Sequence, residues 1–133
     1  MSTAQAIDFE TVKGHAITGI TKVTSVFVNQ PGPLPLGKSF QSSGGSLLIF
    51  VSGSLWAATP NIGLKLGIIL DGNQIQVCEE YANQAGVHLS LIPVLFTVPK
   101  QLAGNHVLEL RTVSGGTNSD ANDAYNATVI ELA

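Results

Sequence analysis

Hydrophobic and polar positions alternate along much of this chain with a two-residue period, the period of a strand whose successive side chains point to opposite faces. In HVLELR, Val107, Glu109 and Arg111 alternate with Leu108 and Leu110. In QIQVCEE, Gln74, Gln76 and Cys78 alternate with Ile75 and Val77. No stretch keeps a 3.6-residue period between capping residues, so helices are not expected. Gly, Pro, Ser and Asn punctuate the chain, the pattern of an all-β sandwich or barrel. The predicted strands are 16–28 (one or two), 46–57 (one, or two broken at Gly53), 64–70, 73–82, 87–99 with a bend at Pro93, 106–113 and 125–132. Asp71-Gly72 predicts a tight hairpin. NQPGPLPLGKSF, 29–40, predicts a Pro-rich loop, because proline cannot donate within a central strand. One domain spanning 1–133 is expected, with no internal repeat.

Three segments break the alternation: LLIFV, GIIL and LSLIPVLFTV. In the last, Ile92, Val94, Phe96 and Val98 make one face, and Leu89, Leu91, Pro93, Leu95 and Thr97 the other. Neither face is polar. Strands apolar on both faces occur where both are covered, whereas a two-sheet sandwich covers one face of each sheet. With no helix to supply the second cover, the expectation is a second copy of the chain. The competing arrangement is a closed barrel, or strands that cross from one sheet to the other, in which apolar runs need no partner.

Composition sharpens this picture. Only 11% of residues are charged and the net charge is −3, against about 25% charged residues in ordinary soluble proteins. The six basic residues are scattered, so neither nucleic-acid binding nor a basic membrane-surface helix is expected. No apolar run is long enough for a membrane-spanning helix. The single cysteine, Cys78, excludes an internal disulfide and a Cys-cluster metal site and is expected to be a buried hydrophobe. The first residues lack a basic region followed by an apolar one, so no signal peptide is read there. The expected location is the cytoplasm, or a particle or surface structure into which the chain assembles.

From about Ser42 onward, the order GGSLLIFVSGSLWA, IILDGNQI, VPKQLAGNHVLELR and the terminal NATVIEL resembles the jelly-roll head of the C1q and tumour-necrosis-factor-like superfamily, in particular its bacterial and phage-borne members. The resemblance covers 42–133. It implies two sheets in jelly-roll topology, a homotrimer packed through one apolar sheet face, and a binding or structural role rather than catalysis. No Gly-X-Y stalk precedes the domain, and the first forty residues match nothing in that family.

The candidate chemistry is sparse. GTNSDANDAYN places Asn118, Asp120 and Asn122 at alternate positions, with Asp123 adjacent. Calcium takes six to eight oxygen ligands, and carboxylates and amides in this pattern can supply some of them. The stretch is similar to the Asp/Asn-rich loop of calcium-dependent bacterial lectins. The same residues would equally build Asx-turns in a solvated hairpin loop. Trp56, Asn61 and Tyr81 are the candidate ligand-binding residues: aromatic rings beside amides suit sugars, although a Trp half-buried at a sandwich end has the same pattern. His15, His88 and His106 lie far apart and show no metal-ligand spacing. Glu79 and Glu80 point to opposite faces of a strand and make no carboxylate pair. The nucleophile-elbow and phosphate-loop patterns are absent, SGSLW and GKS being fragments of them. The expectation is therefore a non-enzymatic all-β jelly-roll homotrimer, a structural or receptor-binding head. The alternative is a small calcium-dependent lectin that binds a glycan.

Overall fold

The computed structural model describes residues 19–133. His15 and the start of the first predicted strand, 16–18, lie outside the described residues. The strands are β1 (Ile20–Pro31), β2 (Leu36–Ser42), β3 (Gly45–Ala57), β4 (Ile62–Leu70), β5 (Asn73–Ala82), β6 (Leu89–Ser90), β7 (Val94–Gln101), β8 (Gly104–Thr112), β9 (Thr117–Asn118) and β10 (Ala124–Leu132). They form two antiparallel sheets of a jelly-roll-like sandwich. One runs β1-β10-β3-β6, with β7 and β9 also paired to β3; the other runs β2-β8-β4-β5.

The core lies between the sheets and follows the alternation. Leu47, Ile49, Val51, Leu55 and Ala57 of β3 meet Leu64, Leu66, Ile68 and Leu70 of β4 and Leu108 and Leu110 of β8. From β10, Tyr125, Ala127 and Val129 fill the same layer. Cys78 is buried there, as expected, and burial pushes its thiol up to about 11. Asp71 (φ 49) and Gly72 (φ 85) make the β4–β5 hairpin turn, whose two positive φ angles explain the Asp-Gly pair.

Three expectations change. First, the Pro-rich loop is only 32–35. β1 continues through Pro31, which pairs with Ala124, and LGKSFQS forms β2 along β8. β1 is an edge strand, where a terminal proline removes no needed ladder donor. Second, Gln74 does not share a face with Gln76 and Cys78. Ile68 pairs with Gln76 but Ile69 with Gln74, so Ile75 is an extra residue. This bulge resets the alternation: Gln74 stays with Ile69 on the outer side, while Gln76 and Cys78 stand opposite the inward Ile68 and Leu66, where Cys78 is buried. Third, residues 91–93 leave the ladder between β6 and β7. Leu91 is buried and Ile92 is 63% exposed, the reverse of an unbroken strand in phase with inward Val98.

The doubly apolar segments separate into two kinds. GIIL is covered from within: Ile68 and Leu70 enter the core, while Ile69 is buried on the other side, near Gln74 and Val113 where they close over Gly67. LLIFV and VLFTV leave an apolar outer face. Phe50 pairs with Leu95 on one side and Thr128 on the other, and Leu48 joins Ile130 and, through it, Val23. Phe50, Leu95 and Val23 are 42%, 59% and 60% exposed in the single chain.

Candidate functional site

One end of the sandwich gathers four connections: β1–β2, β3–β4, β5–β6 and the long β8–β10 segment containing β9. Backbone hydrogen bonds tie them together. Gly86 N donates to Ala57 O at 2.7 Å, holding the β5–β6 loop against the end of β3. Gly32 N donates to Asp123 O at 3.0 Å, and Leu34 N to Ser119 Oγ at 2.7 Å, so the β1–β2 turn is stitched to 119–123. At Gly32 a Cβ would stand 2.5 Å from Asp120 O, an approach that only glycine allows.

Asp123 is the centre of this end. It is 1% exposed. Its Oδ1 accepts from Ser54 Oγ at 2.7 Å and meets His88 Nδ1 at 2.8 Å, and its Oδ2 accepts from Asp120 N at 2.8 Å. The other ring nitrogen of His88, Nε2, is 3.6 Å from Asp120 Oδ2. The hydrogen bond to Asp123 raises the His88 pKa above its ordinary value; partial burial opposes it and the charges of Asp123 and Asp120 assist. The Trp56 ring lies 5.7 Å from the His88 ring, centroid to centroid, and its Nε1–H is enclosed without an acceptor among the described residues.

Ser54, His88 and Asp123 have the composition of a catalytic triad but not its connectivity. A nucleophilic serine donates to histidine, which donates to aspartate. Here Ser54 donates directly to Asp123, on the same oxygen that His88 meets. The imidazole is not placed to take the serine proton.

Beside this cluster lies a cleft of about 380 Å³ on the outer face of the larger sheet, lined by Ser52, Ser54, Ser90, Leu91, Pro93, Asn122 and Asn126 among others. It opens where residues 91–93 leave the ladder. Ser52, Ser54 and Trp56 stand at alternate positions of β3 and share that outer face, so Trp56 is roughly 7 Å along the strand from Ser54.

The residues singled out from sequence are distributed unevenly. Trp56, Asp120 and Asp123 come to one place. Asn118 pairs with Trp56 through β9, but its amide donates to Gly116 O at 3.2 Å. Asn122 lines the cleft, and its backbone N donates to Asp120 Oδ1, closing the Asx-turn that was the alternative reading of this loop. Of these four, Asp120 and Asp123 each bring a ligand atom within 4.8 Å of His88 and of one another. Asn61 (φ 63) occupies the β3–β4 turn, and Tyr81, opposite Gly63, belongs to the other sheet. The pairing of His88 with Asp123 was not visible in the sequence: the two sit 35 residues apart, and the β5–β6 loop closes that gap.

No family model matches the chain, and no curated protein matches it. Solved structures do. Dimeric latent PorU from Porphyromonas gingivalis contains a region matching 86% of this chain with a TM-score of 0.58 at 10% identity; the match spans 13% of the PorU chain. The CBM35 module of Cellvibrio japonicus Abf62 matches 89% of this chain and 93% of its own, with a TM-score of 0.46 at 9% identity. A CBM36 carbohydrate-binding module solved with calcium and xylotriose matches 85% of this chain and 100% of its own, with a TM-score of 0.40 at 12% identity. None of these three is a C1q or tumour-necrosis-factor-like head. Identities this low speak to the fold alone, and the PorU region, with its TM-score of 0.58, shares the fold of this chain.

Proposed function

We propose that this chain is a non-enzymatic carbohydrate-binding module whose ligand lies in the Ser52–Asn126 cleft and reaches toward Trp56. The observation that carries this reading is the continuous outer strip of β3: hydroxyls of Ser52 and Ser54, amides of Asn122 and Asn126 beside them, and an indole two positions further along. A sugar presents hydroxyls that need short-range donors and acceptors, and an apolar ring face that suits an aromatic side chain. The triad-like composition without triad connectivity supports binding rather than hydrolysis. A glycan array followed by calorimetry tests the reading. One glycan class is expected to bind, and Trp56→Ala and Asn126→Ala each to weaken it about tenfold, a loss of roughly 1.4 kcal/mol. An array without a single hit, or a ligand indifferent to both substitutions, overturns it.

A second reading is favoured by the exposed face of Val23, Leu48, Phe50, Leu95 and Ile130. Contiguous apolar surface on a sheet marks an association site, and we propose that copies of the chain meet there. Light scattering is expected to give a mass above that of one chain, and Leu95→Asp to reduce it to a folded monomer. Phe96→Asp, by contrast, places a charge on the partly buried inner face and is expected to unfold the chain. A wild-type monomer at micromolar concentration overturns self-association and leaves the glycan reading untouched.

A further inference from the structure

We propose that His88, Asp120 and Asp123 form a binding site for one divalent transition ion of zinc's class. The site goes beyond the glycan reading and stands on these three side chains alone. One ligand atom from each lies within 4.8 Å of the others. His88 Nδ1 and Asp123 Oδ1 are already 2.8 Å apart. Zinc bonds of about 2.0–2.2 Å in tetrahedral geometry separate neighbouring ligand atoms by roughly 3.4 Å, so closing the set requires a shift on the order of 1 Å. The two residues that would move are the accessible ones, with the His88 and Asp120 side chains 33% and 40% exposed. Asp123 is the fixed post: Ser54 Oγ and Asp120 N hold its carboxylate, the kind of outer support that orients a metal ligand.

Charge and donor type point the same way. Two carboxylates face a single imidazole, and among the described residues no lysine or arginine pairs with either. Asp123 is buried on neutral donors and one imidazole, with no permanent positive charge beside it, a setting in which a cation stabilises the ionised carboxylate. The imidazole decides which one. Calcium takes oxygen ligands in sixes to eights, but here only two carboxylates converge, and the third ligand atom is a nitrogen. An imidazole with two carboxylates suits zinc, copper or nickel. Three protein ligands leave a fourth position for water or a ligand oxygen.

The test uses the full chain stripped of metal, without sugar. Trp56 is the sole tryptophan and lies against His88, so cobalt(II) bound here is expected to quench its fluorescence, and zinc to reverse the quenching. Calorimetry with zinc is expected to give one site per chain. Asp120→Asn, which keeps the Oδ1 that accepts from Asn122 N, and His88→Gln are each expected to weaken zinc at least about tenfold, with His15→Gln unchanged. No zinc or cobalt binding, or binding that survives both Asp120→Asn and His88→Gln, overturns the proposal. Calcium bound through these residues in preference to zinc overturns the assignment of the ion. A glycan array run with zinc and with chelator separates the two readings: sugar binding in chelator by a chain that takes no zinc defeats the metal site alone. Zinc binding by a chain that takes no glycan defeats the carbohydrate reading alone.

Discussion

The sandwich carries two histidine–aspartate pairs, and they are built for different ends. At one, His106 Nδ1 lies 2.6 Å from Asp71 Oδ2 and Nε2 2.7 Å from Leu102 O, two acceptors that between them engage both nitrogens of the protonated ring. The ring is buried and stacks on Phe40 at 5.7 Å. Asp71 Oδ1 also accepts from Val107 N. Every polar atom of that pair is used, and its effect is to lock the β4–β5 turn and the β7–β8 turn to the start of β8. Nearby, the buried Glu131 of β10 holds the β2–β3 turn. Burial works against its charge, but hydrogen bonds from Ser43 N and Oγ prevail and hold its carboxyl below the ordinary value. At the other end, His88 makes one short contact with Asp123, faces Asp120 at a longer distance and stays open to solvent. The same pair of residue types is a rivet where all its valences are filled and a binding site where some are left over.

The sharpest way to break this comparison is to remove Asp123, the one member of the open pair that is fully buried. Asp123→Ala leaves Ser54 Oγ, His88 and Asp120 N without their acceptor and is expected to cost about 3 kcal/mol in urea unfolding; a silent substitution would show that the loop end is not organised around it. His106→Ala comes next. It removes two hydrogen bonds and opens space against Phe40, for about 2–3 kcal/mol. The rivet should also show itself in pH. The hydrogen bond to Asp71 and then that to Leu102 O raise His106 above its ordinary 6.5, with the charges of Asp71 and Glu131 assisting. Its stabilisation is therefore whole below about pH 6.5 and is lost as pH rises through the raised value. Asp71 behaves oppositely. Burial opposes its ionisation, but the bonds from His106 and Val107 hold it below 3.8, so its contribution is lost only in acid. The stability difference between wild type and His106→Gln, measured by urea titration from pH 6 to 9, is expected to shrink as pH rises; a flat difference would mean that the charge on His106 does not contribute. The smallest effect is expected from His88→Ala, within about 1 kcal/mol in the same titration. A loss as large as that of His106→Ala would make both pairs structural.

Much of the fold was legible because local signals and burial agree. The alternation in HVLELR predicts Leu108 and Leu110 inside and Val107 outside, and Asp71-Gly72 predicts its turn. Where the reading slipped, a local irregularity had shifted the phase. The extra residue Ile75 put Gln74 on the opposite side from Gln76 and Cys78, and the break at 91–93 buried Leu91 in place of Ile92. Both are one-residue events, and a one-residue slip exchanges the faces of everything beyond it. The Pro-rich loop was overdrawn for a related reason: a proline forbids a central strand, but nothing in the chain says which strand lies at the edge.

The sequence by itself determined the all-β class, the hairpin at residues 71–72, most of the core and the two acidic residues of the loop end. It did so because strand period and turn geometry are local, written within a few residues of where they act. Only the tertiary structure decided that GIIL is covered from within while Phe50 and Leu95 are not, and that His88 rather than His106 stands open beside Trp56. Those outcomes depend on which strands are neighbours and which loops share an end, and pairing between residues dozens of positions apart leaves no trace in local periodicity.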